Sequence, residues 1–260
     1  MPRYALTLEY HGAGFVGWQR QTNGISVQQV LEEAAAHLVG GARVASITAG
    51  RTDSGVHASG QVASIDLDRA ISGDKLRDAL NYHMKPHAVA VLRAALAPPG
   101  WNPRFSAISR EYCYRILNRR ARAALQAGRM WHVPQDLDVT AMARGAEALL
   151  GGHDFTSFRA TSCQARSPIR TIDRLEVRRE GEMLVIDVAA RSFLHHMVRN
   201  IVGTLKLVGE GTWPLERVAQ ALAARDRAAA GPTAPPDGLM LVAVHYPQDP
   251  FMPSAALFDR

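Results

Sequence analysis

Tyr4, Leu6, Leu8 and Tyr10 alternate with Ala5, Thr7 and Glu9, and a period of two predicts a strand with one buried face. The period then lengthens to that of a helix. Val27, Val30, Leu31, Ala34 and Leu38 form an apolar stripe, opened by a capping box of Ser26 and Gln29 and a staple of Ile25 and Val30, and closed by Gly40-Gly41. Strand patterns at 43–48 and 61–68, a helix at 74–81 and a strand at 89–96 follow, giving the order β-α-β-β-α-β.

The order returns in the second half. Tyr112, Tyr114 and Ile116 alternate on a strand, a helix spans 139–150 and stops at Gly151-Gly152, and two strands carrying Leu175, Val177, Val185 and Val188 meet at Glu180-Gly181. A helix at 194–208, another begun by Pro214 and a strand at 239–244 complete it. The run Ala97-Pro98-Pro99-Gly100 reads as the linker, and 231–238 is a second extended connection. The expected organisation is an N-terminal α/β half over 1–100, a C-terminal α/β half over 101–247 and a tail over 248–260 without periodicity. The fold class is α+β, with two βαββαβ halves of the ferredoxin-like or RNA-recognition-motif-like type.

Composition narrows the setting. At 260 residues and 47% hydrophobic content the chain can bury a substantial core. It has no apolar run of membrane-spanning length, and its N-terminus enters a strand pattern at Tyr4 without a signal-peptide core, so a cytoplasmic protein with no membrane association is expected. Cys113 and Cys163 are too far apart in sequence to read as a metal-ligand pair and are expected to be buried apolar residues. The net charge of +6 points weakly to a polyanion. Two arginine clusters sharpen it: Arg115, Arg119, Arg120 and Arg122, then Arg166, Arg170, Arg174, Arg178 and Arg179. Forked guanidinium groups suit phosphate oxygens, although exposed ion pairs or codon usage account for arginines equally well. Phosphate contact by at least one cluster is expected.

The chemistry concentrates in residues 48–58, Thr-Ala-Gly-Arg-Thr-Asp-Ser-Gly-Val-His-Ala. Gly50 and Gly55 bracket Arg51, Thr52 and Asp53, so the loop can present side chains to a ligand, and a carboxylate beside Arg51 is expected to stay ionised. Such a group serves as nucleophile or base. The plainer reading is a turn at Asp53-Ser54-Gly55. His57 positions the loop or is merely structural. Phe15, Trp18 and Gln19 either touch RNA from a glycine-rich loop or, for Trp18, close the core. His195 and His196 invite a metal reading with His153 and Asp154, which is set aside because consecutive helical residues point apart.

These motifs resemble the tRNA pseudouridine synthase A family. Ala49-Gly50-Arg51-Thr52-Asp53-Ser54-Gly55-Val56-His57-Ala58 is similar to its active-site motif, with Ser54 where alanine is usual. Arg104-Phe105-Ser106-Ala107, Arg110-Glu111-Tyr112-Cys113-Tyr114, His153-Asp154-Phe155-Thr156-Ser157-Phe158 and the stretch 193–203 follow in the family's order. The sequence departs at 81–87 and at Asn102-Pro103, which touches supporting loops. The resemblance implies two halves forming a continuous, mostly antiparallel sheet with a central cleft, a homodimer, and isomerisation of uridine to pseudouridine at positions 38, 39 and 40 of the tRNA anticodon stem-loop without cofactor or metal. It makes Asp53 the catalytic residue, Tyr112, Arg51 and Arg199 substrate-binding, and Thr52 and His57 supporting.

Residue type alone favours a core role for Tyr112 and a surface role for Arg199. Two rivals remain. A non-catalytic RNA-binding protein accounts for charge and topology but not for the Asp53 loop, and a metal-dependent hydrolase would use the histidines and lose activity to a chelator.

Overall fold

The computed structural model describes residues 1–252, ten strands and five α-helices among them, in a mixed α+β arrangement in which most strand pairs are antiparallel. Two compact units divide the described residues: Met1–Ile108 with 241–252, and Ser109–Met240. No helix of the described residues is long and apolar enough to cross a membrane.

The first unit contains β1 (Arg3–Tyr10), α1 (Val27–His37), β2 (Ser46–Thr48), β3 (His57–Asp66), α2 (Gly73–His83) and β4 (Val89–Leu96). The strands lie in the order β4-β1-β3-β2, with Leu6 opposite Ala63 on one side and Ala94 on the other. The alternation in β1 decides what is buried: Leu6 and Leu8 are sealed, as are Leu31 of α1 and Leu76 and Leu80 of α2, while Glu9 faces water. Ala5 breaks the pattern for a visible reason. It belongs to a second cluster with Ala49, Val62 and Trp101, against which Val244, Tyr246 and Phe251 pack.

Helix α1 starts as its sequence says. The Ser26 hydroxyl accepts from the Gln29 amide at 3.1 Å, but the Gln29 side chain turns forward to Glu33 and Ile25 stays 44% exposed, so the cap is one-sided and the staple leaves half its apolar surface in water. Strand β2 is shorter than the expected 43–48 because the buried Glu32 carboxylate takes the Ser46 amide and hydroxyl at 2.9 and 3.0 Å, and only Ser46–Thr48 join the ladder. Within the stretch 81–87, Asn81 is locked by both ends of its amide to the Val91 backbone. The Asn102 side-chain oxygen Oδ1 likewise accepts from the amides of Arg104 and Phe105.

The second unit contains β5 (Ser109–Asn118), β6 (Trp131–Val133), α3 (Val139–Glu147), β7 (Gly151–Asp154), β8 (Ile169–Glu180), β9 (Met183–Ala190), α4 (Met197–Gly209) and α5 (Arg217–Ala224). Strand β10 (Leu239–His245) begins in this unit and continues into the other. Strands β5, β9, β8 and β7 neighbour one another in that order with antiparallel pairing, and β6 runs parallel to β5. Gly181, at φ 60°, turns the two-residue β8–β9 connection.

Three sequence expectations shift here. Gly151-Gly152 opens β7 rather than closing a helix, and α3 ends at Glu147 although Leu149 remains buried beyond it. Helix α4 starts at Met197, because His196 adopts the left-handed φ of 62° and forms its N-cap. Cys113 is buried, which pushes its thiol up to about 11, but Cys163 is half-exposed rather than buried. Of the expected tail, residues 248–252 include Phe251, whose ring lies 4.6 Å from the Arg93 guanidinium, and 253–260 lie outside the described residues.

Candidate active site

The connection from β2 to β3 carries the Asp53 motif, and its shape is set from beneath by three buried polar side chains. Gln61, fully buried on β3, donates to the Gly50 carbonyl at 2.7 Å and to the Tyr10 hydroxyl at 3.2 Å, while its own carbonyl accepts from the Val62 amide. Tyr10 in turn shares a 2.8 Å hydrogen bond with the Thr52 hydroxyl. Burial pushes the Tyr10 phenol up to about 12, so at neutral pH it keeps its proton. Each polar group is paired, as burial demands.

Holding Thr52 inward turns its neighbours outward by backbone alternation. Arg51 is exposed and Asp53 half-buried, neither sealed in the interior nor fully in solvent. The guanidinium of Arg51 makes no ion pair among the described residues, so the close Arg51 partner expected for Asp53 is not formed. The turn expected at Asp53-Ser54-Gly55 exists: the Val56 amide donates to the Asp53 carbonyl at 3.1 Å, and Gly55 supplies φ 80°. Gly50 is not at positive φ. The turn and the candidate chemistry coexist, with Asp53 as the turn's first residue.

A second loop grips this one from the side. The Trp18 amide donates to the Thr52 carbonyl at 3.0 Å, and the Gly55 amide and Ser54 hydroxyl donate to the Phe15 carbonyl at 3.3 and 3.2 Å. The Ser54 hydroxyl therefore adds a tether that an alanine at this position would lack. Backbone lies on backbone: a Cβ on Gly12 would stand 2.2 Å from the Val56 carbonyl oxygen, and one on Gly17, at φ 103°, 2.7 Å from that of Thr52. Phe15 and Trp18 are buried, so both close the core rather than present an RNA-facing surface. His57 is buried and its Nδ1 accepts from the Gly12 amide at 2.9 Å, which fixes a neutral ring carrying its proton on Nε2.

In the second unit Tyr112 is half-buried on β5, edge-on to Phe193 with ring centroids 5.1 Å apart. Two residues on, Tyr114 takes the core role that a strand tyrosine usually has: it is fully buried and donates to the Pro235 carbonyl at 2.8 Å. Arg199 is the third residue of α4, and its Nε donates to the Ala234 carbonyl at 2.7 Å while the Ala234 amide donates back to the Arg199 carbonyl. The loop that supplies Ala234 is itself pinned. Asn200 accepts from Arg227 and from the Thr233 hydroxyl, and Thr204 accepts from the Gly231 amide.

Three residues of the two units, Tyr10, Gln61 and Arg110, carry no site role in the sequence pattern. Tyr10 and Gln61 sit far apart along the chain, and only the β1–β3 pairing brings them together. Arg110 had a signal: it shares the period of Tyr112 and Tyr114, yet it is 8% exposed and its guanidinium donates to the Arg191 carbonyl at 2.5 Å. A charge kept that deep in a strand is costly unless it is paired or hydrogen-bonded, which the Arg191 carbonyl achieves here in part.

His195 and His196 precede α4 with ring centroids 4.0 Å apart, so the helical argument against joint ligation does not apply to them. Asp154 is engaged elsewhere. Hydrogen bonds from the Thr156 hydroxyl and amide, with Arg225 at 3.5 Å, hold its carboxyl below the usual carboxylate range.

A family model described as tRNA pseudouridine synthase matches residues 146–247. The chain is 66% identical over 252 residues to a tRNA pseudouridine synthase A of Acidiphilium cryptum strain JF-5, covering 96% of this chain and 99% of that one. A tRNA pseudouridine synthase A of Gluconobacter oxydans strain 621H is 55% identical over 96% of this chain and 91% of its own, and one of Rhodospirillum centenum strain ATCC 51521 / SW is 58% identical over 95% and 100%. At such identity along nearly the whole of both partners, the chain belongs to the tRNA pseudouridine synthase A family.

Proposed function

We propose that this chain isomerises uridine to pseudouridine at positions 38, 39 and 40 of the tRNA anticodon stem-loop, with Asp53 as its catalytic residue. Family membership carries the reaction, and the held Asp53 turn supports the residue. In the reaction the bond from C1′ to N1 breaks, the uracil turns, a bond from C1′ to C5 forms, and the C5 proton is lost as N1 gains one. No electrons are exchanged with a cofactor. A half-buried carboxylate on a rigid turn suits either attack on the sugar or base, or removal of a sugar proton.

Tyr112 is assigned to the target base, by stacking or through its hydroxyl, and Arg51 and Arg199 to the substrate's anionic groups. Thr52 and His57 hold the loop. Arg51, exposed and without an ion pair among the described residues, suits a substrate role better than an internal one. The chain is further read as a cytoplasmic homodimer, on the family resemblance.

The test is pseudouridine mapping in tRNA from a strain lacking this chain. Uridine should reappear at positions 38 to 40 and nowhere else, and retention of pseudouridine there would overturn the assignment. Undiminished activity of the purified protein after chelation is expected, whereas loss restored by added metal would favour the hydrolase rival.

A further inference from the structure

The two arginine clusters differ in what their charges already do. On β8 and beside it, Arg174 pairs with Glu111 at 2.9 Å, Arg178 with Asp187 and Glu180, and Arg179 donates to Asn118 and to the Leu137 carbonyl. Arg170 donates to the carbonyls of Ser167 and Ile169, and Arg166 is exposed without a partner among the described residues. Most of that cluster is therefore committed to the protein itself.

The connection from β5 to β6, residues 119–130, is different. It carries Arg119, Arg120, Arg122 and Arg129 and no acidic residue. Its root is fixed: Ile116 pairs with Trp131 and Asn118 with Val133, and the His132 ring bonds the Arg119 carbonyl at 2.8 Å. Arg119 acts as a strut, bound to Glu182 at 2.8 Å and to the Ala121 carbonyl at 3.1 Å. Beyond it Arg120, Arg122 and Arg129 are exposed, and none makes an ion pair or side-chain hydrogen bond among the described residues. Asp136 lines the same shallow hollow as Arg120 but stands outside ion-pair distance. Leu125, at 94% exposure, marks how far the loop stands out from the unit.

We propose that residues 119–130 form a docking surface for the tRNA phosphate backbone, with Arg120, Arg122 and Arg129 as the contacting cations and Arg119 as the support. Guanidinium groups with no internal carboxylate to leave lose little on meeting a phosphate, and a loop anchored at both ends costs less to order than a free one. The clustered positive charge releases counterions from RNA, which makes the contact measurable by salt.

This rests on the reading of the chain as a tRNA-modifying enzyme, and the experiment separates the two. Binding of unmodified tRNA is titrated across a series of KCl concentrations for the full chain, for the triple substitution Arg120→Ala, Arg122→Ala, Arg129→Ala, for the matching triple lysine substitution, and for Arg174→Gln with Arg178→Gln. Removing three phosphate contacts should flatten the slope of log affinity against log salt by about 2 to 3 and weaken binding at low salt by at least about tenfold. Lysines should restore the slope, and the β8 pair should leave it unchanged. A slope unaltered by the alanine triple, or flattened as much by the β8 pair, overturns the docking surface alone. An unaltered chain whose tRNA binding ignores salt overturns the reading beneath it as well.

Discussion

Both units contain a β-α-β-β-α-β order, to which the second adds β6, β7 and α5, and they solve the same problem with opposite parts. In the first, the candidate residue Asp53 lies on a loop, and the regular strands β1 and β3 hold that loop through Tyr10 and Gln61. In the second, the candidate residue Arg199 lies on a regular helix, and an irregular loop holds it through the Ala234 carbonyl. Both use glycine to bring backbone against backbone: Gly12 and Gly17 beside the Asp53 loop, Gly203 within α4 and Gly231 on the loop against it. The lesson is about where precision comes from. A helix fixes its own residues and needs only one outside bond, whereas a loop must borrow rigidity from buried polar groups under it.

Substitution at Gly203 is expected to have the largest effect. A Cβ there would stand 1.8 Å from the Pro232 carbonyl oxygen, with no flexible side chain to give way. Gly203→Ala should cost about 3 kcal/mol in stability by overpacking, read as a lower midpoint in urea unfolding. A midpoint equal to that of the unaltered chain would show that the loop is not seated on α4.

A smaller change tests the borrowed rigidity of the first unit. Tyr10→Phe keeps the buried ring but removes the hydroxyl that Thr52 and Gln61 share, so it should cost about 1 to 2 kcal/mol. Because Thr52 adjoins Asp53, kcat should fall roughly tenfold or more while KM for tRNA stays within about twofold. An unchanged kcat alongside the expected loss of stability would make the Tyr10–Thr52 bond purely structural.

The smallest effect lies at the far end of β1. Arg3 donates to both Asp66 oxygens at 2.8 and 2.9 Å, and these bonds hold the Asp66 carboxyl below its ordinary value. A depressed folded-state pKa gives stability that is present above the unfolded value of about 3.9 and is lost as pH falls through the folded one. Both side chains are more than a third exposed, so the gain is slight. Asp66→Asn should lower the melting temperature a little at pH 7, with the difference closing on acidification below about pH 4. A difference that persists at low pH would assign the effect to packing.

Much of the fold was legible because β1, α1 and β4 state their periods plainly, and each boundary error has a local cause. Leu149 continues the apolar stripe of α3 past its last helical residue, and His196 takes a left-handed φ that no pattern of apolar residues announces. The Asp53 loop was legible as a motif. Its support was not, since Tyr10 reads as one more alternating strand residue until β1 is paired with β3. The arginines show the same limit: sequence grouped them by spacing, but only the positions of Glu111, Asp187, Glu180 and Glu182 distinguish committed charges from uncommitted ones.

The central claim is that the Asp53 carboxylate does the chemistry while the surrounding loop merely holds it. Single-turnover conversion of tRNA uridine by Asp53→Asn, with tRNA binding measured on the same preparation, tests it most directly. A rate reduced by at least about a thousandfold with affinity kept within a few-fold is the expected result. Conversion at near the unaltered rate would contradict it.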